Sequence, residues 1–141
     1  MGSTYQSIVV DAPVADVWAA IRDFHDMSWA PNVIEKLTVV GDHTGDQVGA
    51  RRRLNDAFEE TLLGLNDLER TVHYRIDDGP SPVSKDDVEN YIGTIRVHSV
   101  TEGNRSFVEW SSHWDAKDDA ASAFCHGIYV ALLTDLQTTF A

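Results

Sequence analysis

The sequence predicts an α+β fold in which a curved antiparallel sheet of seven strands wraps a long C-terminal helix, with two short helices between strands 1 and 2. Two observations predict it. Between residues 33 and 114 the apolar residues recur with a period of two between turn signals, whereas the segments on either side repeat at helical spacing. At 141 residues, 43% hydrophobic and 24% charged, the chain has the length and composition to bury one core, so residues 1–141 are read as a single domain.

Each element follows in order. Residues 5–10 form a β-branched run ending at Asp11, and Ala12-Pro13 opens a helix in which Val14, Val17, Trp18 and Ile21 share a face. Residues 23–32 carry turn formers with Trp29 and Pro31, which reads as a second short helix closing before the proline. Six strands are expected at 33–40, 47–55, 58–65, 71–76, 88–100 and 106–114. Gly41-Asp42 through Gly45-Asp46, Asn66-Asp67, residues 78–82 and Glu102-Gly103-Asn104 supply turns between them. Asp118-Asp119 places negative charge at the start of the last helix, where Phe124, Ile128, Leu132, Leu136 and Phe140 are expected to line one stripe. Such a sheet and one helix leave volume between them, and cavities of about 300 to 1,000 Å³ are the usual size of small-molecule sites.

Composition excludes several function classes. With 23 acidic against 11 basic residues and a net charge of -12, the chain offers no basic face for nucleic acid. It has no stretch of about 18 apolar residues, so membrane insertion is not expected. A lone Cys125 forms no internal disulfide and no thiolate metal site, and a cytoplasmic location is the default expectation. The six histidines show no H-x-x-x-H or H-E-x-x-H spacing, and no metal is expected. Glycines 41, 45 and 49 lack a following G-K-[ST] and join two strands, which sets aside a nucleotide site.

GARRRL, residues 49–54, clusters three arginines in this acidic chain. On a strand Arg51 and Arg53 share one face while Arg52 points the other way with Ala50 and Leu54. Two readings stand: a solvated basic stripe on an edge strand, or an Arg52 turned inward to meet a partner. Elsewhere Trp110, Ser112 and Trp114 share one face of FVEWSSHW and are expected inside, as is Tyr74 with Val72 and Ile76. Core packing accounts for these aromatics as well as ligand contact does. Phe24 and Trp29 are placed at a cavity mouth or in the core. Gly127 interrupts the last helix at a cost of about 1 kcal/mol, which calls for a close approach to the sheet or room for a ligand. The GPSPVSK segment, 79–85, is either a rim beside the cavity or an inert loop.

In their order and spacing, DAPVADVWAAIRDF, W-A-P at 29–31, VVGDHTGDQVGARRRL, ETLLGLND, YIGTIRV, FVEWSSHWD and GIYVALLTDL resemble the START-like or helix-grip (SRPBCC) superfamily, polyketide cyclase/dehydratase-like branch, across nearly the whole chain. Three positions are similar to the plant lachrymatory-factor synthase branch: Arg52 after the Gly-rich hairpin, Glu60 in EETLL and Tyr91 in NYIGTIRV. The resemblance implies that these three project into a pocket and take part in proton transfer on a small reactive substrate. It gives Arg52 a partner, because Glu60 on the next antiparallel strand can form a two-pronged pair with it. Leu62, Ile95, Phe124 and Ile128 complete the expected ligand contacts, with Phe24, Trp29, Tyr74, Trp110, Ser112 and Trp114.

The superfamily holds carriers, receptors, enzymes and assembly factors, so three functions remain open. The first is binding of a small hydrophobic or amphipathic molecule at the Arg/Glu/Tyr set. The second is a cofactor-independent cyclase, dehydratase or isomerase using Arg52, Glu60 and Tyr91. The third is an interaction or assembly protein with a filled interior. In each case no cofactor is expected, and the protein is a monomer or homodimer.

Overall fold

A computed structural model describes residues 1–141. The elements are β1 (Gly2–Val10), α1 (Val14–Ile21), β2 (Leu37–Val40), β3 (Arg51–Leu54), β4 (Phe58–Asn66), β5 (Thr71–Asp78), β6 (Val88–Val100), β7 (Arg105–Ala116) and α2 (Ala120–Thr139). All seven strands join one antiparallel sheet in the order β1-β7-β6-β5-β4-β3-β2. This is the helix-grip arrangement: a meander from β2 to β7, closed on its far side by β1, with α2 against its inner face.

Only one helix separates β1 from β2, where two are expected. The reason lies in residues 23–34, where side chains compete for the amides a helix would use. Asp23 Oδ1 accepts from His25 N and Asp26 Oδ1 accepts from Ser28 N, both at 2.9 Å. Pro31 removes a further donor, and the segment becomes a succession of turns held by Asp26 N–Asp23 O, Ala30 N–Met27 O and Val33 N–Ala30 O bonds. The two strands that follow it are shorter than the pattern suggests. Residues 35 and 36 donate their amides to the Asn55 side chain, so β2 begins only at Leu37. Gly49, at φ +96°, bends the chain just before β3.

The buried face of α2 carries Ala121, Cys125, Tyr129, Leu132, Leu133 and Leu136. Phe124, Ile128 and Phe140 of the expected stripe are only partly buried. A strict i, i+4 series drifts by about 40° per step on a helix of 3.6 residues per turn, so it cannot stay on one face over 17 residues. Gly127 corrects a second expectation: it is exposed, a Cβ there would meet nothing within 4 Å, and it does not line the cavity between the sheet and α2, so neither close packing nor ligand room explains it. Gly93 does have a packing reason. It pairs in register with Tyr74, and any Cβ would overlap the Tyr74 ring, which lies across β6.

Candidate functional site

Alternation on β3 decides the fate of the three arginines. Arg51 is exposed, Arg53 is half-buried, and Arg52 is 5% exposed between Ala50 and Leu54 on the inner face. The β3–β4 register sets Arg52 directly opposite Glu60, itself 5% exposed. Arg52 Nε donates to Glu60 Oε1 at 2.8 Å, and Nη2 lies 2.7 Å from the same oxygen. The pair is therefore side-on to one oxygen and not forked across two. Nη1 donates to the Phe24 carbonyl at 3.1 Å, and the guanidinium carbon sits 3.8 Å above the centroid of the Phe24 ring. Glu60 Oε2 accepts no hydrogen bond from the protein, and one hydrogen on each of Nη1 and Nη2 meets no protein acceptor.

These two side chains form the polar corner of a cavity of about 180 Å³ between the sheet and α2, whose wall is mostly apolar. Leu54, Phe58 and Ile76 line it from β3 to β5, Cys125, Ile128 and Leu132 from α2, and Met27, Val33 and Ile34 from the turn segment. Tyr74, Tyr91, Trp110 and Tyr129 form its aromatic floor. That floor is why the cavity falls below the range expected from the sheet alone: Trp110 lies 4.8 Å from Tyr129 and 6.4 Å from Tyr74, centroid to centroid, and these rings occupy the volume. A larger depression of about 450 Å³ lies on the surface between residues 82–89 and 115–121. It is lined by Asp86, Asp87, Glu89, Asp115 and Asp118 and does not reach the Arg52–Glu60 pair.

The floor is tied together by one row of hydrogen bonds. Trp110 Nε1 donates to Tyr74 Oη at 3.0 Å, Tyr74 and Tyr129 hydroxyls are 2.7 Å apart, Tyr129 and Tyr91 hydroxyls 2.5 Å apart, and Tyr91 Oη donates to Ser112 Oγ at 3.2 Å. Ser112 in turn meets Thr4 at 2.6 Å. An indole N–H only donates, and each phenol has one proton. With Tyr91 donating to Ser112, Tyr129 must donate to Tyr91 and Tyr74 to Tyr129, so every phenolic proton is committed along the row. Burial pushes the Tyr74 and Tyr129 hydroxyls well above the usual tyrosine range, with the neighbouring phenols adding to it and the Glu60 charge raising Tyr74 further. Tyr91 is raised for the same leading reason, and burial also raises the Cys125 thiol beside it. These groups stay protonated and act as hydrogen-bonding groups, not as ionised bases.

Of the residues singled out in the sequence, Arg52, Glu60, Tyr91, Tyr74, Trp110 and Ile128 lie on the cavity wall. Phe24 lies behind Arg52, and Trp29 packs 6.2 Å from Trp110; neither stands at the mouth. Trp114 stacks on the back of Tyr91 at 5.1 Å, and Ser112 accepts from Tyr91 in the hydroxyl row. Leu62, Ile95 and Phe124 do not reach the cavity. Tyr129, Cys125, Met27 and Phe58 are wall residues that strand alternation and the chosen helical stripe passed over; an Ala121–Cys125–Tyr129–Leu133 stripe would have found the first two. The 79–85 loop does not line the cavity, although Gly79 packs against Phe58, which does. No group of three or more His, Cys, Asp or Glu side chains is placed to hold a metal, and no helix is long and apolar enough to cross a membrane.

The family described as polyketide cyclase/dehydrase and lipid transport matches residues 1–141. The chain belongs to that family. A protein from Nitrosospira multiformis is 45% identical, with a TM-score of 0.97 over 99% of this chain and 96% of its own. The protein XoxI from Bacillus cereus is 30% identical, with a TM-score of 0.79 over 99% of this chain and 96% of its own. A protein from Thermobifida fusca, 24% identical, shares the fold with a TM-score of 0.83 over 99% of this chain and 93% of its own. No curated protein matches the chain. The family covers both ligand carriage and cyclase or dehydrase chemistry, and these matches do not single out the lachrymatory-factor synthase branch.

Proposed function

We propose that this protein binds a small, largely apolar molecule in the cavity beneath α2, with Arg52, Glu60 and Tyr91 reading its polar end. The observation that carries this reading is an apolar cavity whose one charged corner retains unspent hydrogen-bonding capacity: a free Glu60 Oε2 and two spare Arg52 N–H groups. Buried charges that served only to pin two strands would be expected to consume one another's donors and acceptors. Family membership supports the reading, since lipid transport and polyketide chemistry both need an enclosed apolar ligand. The same void speaks against an assembly protein with a filled interior.

A second reading, cofactor-independent proton transfer, draws on the same free carboxylate oxygen. Glu60 would take a proton from the bound molecule, Arg52 would hold developing negative charge, and Tyr91 would position the substrate. The cyclase and dehydrase chemistry in the family's description supports it. Native mass spectrometry of freshly purified protein tests occupancy directly, and alkylation of Cys125, the only cysteine, reports access to the same wall. A retained small molecule that protects Cys125 supports binding. An empty protein whose Cys125 resists even iodoacetamide in the native state contradicts it. Glu60→Gln separates the two readings, since turnover of an identified substrate is lost only if the carboxylate carries the proton.

A further inference from the structure

Building on that binding reading, we infer that the cavity selects an electrically neutral molecule about the size of one six-membered ring, bearing adjacent hydrogen-bond donor and acceptor atoms, as in a carboxamide. Three observations lead there. Volume is the first: a cavity of about 180 Å³ is close to the engineered apolar cavity of about 150 Å³ that takes up benzene, so the buried body of the ligand is ring-sized.

Charge balance is the second. Arg52 and Glu60 cancel one another at 2.7 Å, and no other carboxylate, lysine, arginine or histidine lines the wall. An anion entering here meets the unpaired Oε2 of Glu60, and a cation meets a guanidinium whose charge is already matched. Either adds an uncompensated charge in a largely apolar site. The tyrosine row gives an anion no relief, because each phenolic proton is already donated along Trp110–Tyr74–Tyr129–Tyr91–Ser112. The row has no phenolic proton left to offer a guest.

The third is the pattern of what remains. Glu60 Oε2 needs a donor and the spare Arg52 N–H groups need an acceptor, so a head carrying both on neighbouring atoms satisfies the corner without altering its charge. A carboxylate offers only acceptors, an amidinium only donors, and a hydrocarbon neither.

Four probes of nearly one shape test this: benzamide, benzoate, benzamidinium and toluene, titrated at pH 7 against the Trp110 indole N–H signal and against Cys125 alkylation. Benzamide is expected to bind at least tenfold more tightly than benzoate or benzamidinium, and at least threefold more tightly than toluene. In Glu60→Gln the Arg52 charge is no longer cancelled, and the order of benzamide and benzoate is expected to reverse. Should that variant fail to fold, the four wild-type constants decide alone. Toluene binding as tightly as benzamide, or benzoate within threefold of it, overturns the inferred ligand class while leaving the binding reading intact. Silence from all four probes in both readouts overturns both.

Discussion

Two ion pairs stand on adjacent rungs of the β3–β4 ladder, made from the same residue types. Arg52–Glu60 faces inward at 2.7 Å with both side chains 6% exposed, while Arg53–Glu59 faces outward at 3.0 Å with side chains 39% and 36% exposed. The outer pair is partly open to water, where Coulomb attraction is weakened and salt screens it; such pairs contribute about 0 to 1 kcal/mol. The inner pair is almost wholly buried and keeps only one carboxylate oxygen engaged by the protein. The contrast teaches that alternation on one strand can place the same chemistry in two roles, a solubilising stripe outside and a recognition corner inside.

The largest expected effect comes from breaking the inner pair by halves. Glu60→Ala leaves Arg52 buried and unpaired and is expected to destabilise the protein by about 3 to 5 kcal/mol, while Glu59→Ala costs about 1 kcal/mol or less. Urea titrations of both variants, at low and high salt, measure the gap; equal losses would erase the distinction between the rungs.

Alkali probes the aromatic floor on the inner side. The buried phenols of Tyr74, Tyr91 and Tyr129 have raised pKa values when folded, whereas in the unfolded chain they ionise near pH 10. Above that pH the unfolded state has released protons that the folded state keeps. Stability is therefore full below about pH 10 and falls as pH rises, by up to about 1.4 kcal/mol per pH unit for each phenol. Tyr129→Phe should show a shallower decline in denaturation midpoints between pH 9 and 11.

Two glycines repeat the inside-outside contrast on a smaller scale. Gly93→Ala drives a methyl group into the Tyr74 ring and is expected to cost about 1 to 3 kcal/mol, with loss of the hydroxyl row visible as a shifted Trp110 indole signal. Gly127→Ala points into open space on α2 and is expected to stabilise by about 0.5 to 1 kcal/mol in thermal melts.

The strand meander was legible because period-two alternation, the turns and the long last helix all leave local marks, whereas alternation only set Arg52 apart from Arg51 and Arg53, and the family resemblance was needed to turn it inward toward Glu60. What escaped the sequence depends on competition and phase. The helix expected at 23–32 yields to Asp23 and Asp26 binding nearby amides, which propensity alone does not weigh. Tyr129 and Cys125 escaped because a helical stripe can be drawn at two phases through α2, and only packing against the sheet chooses between them. The single-oxygen geometry of the Arg52–Glu60 pair has no local signal, since it is set by where the Phe24 carbonyl draws Nη1.

The most direct measurement replaces both inner partners at once, Arg52→Met with Glu60→Leu, and follows stability and probe selectivity together. Well-packed apolar replacements of buried ion pairs are often neutral or stabilising by about 1 to 4 kcal/mol. If the pair is kept for recognition, the double variant matches or exceeds wild-type stability, still takes up toluene, and no longer prefers benzamide. A double variant that is several kcal/mol less stable yet keeps the benzamide preference would show that the pair is a strand anchor and that recognition lies elsewhere.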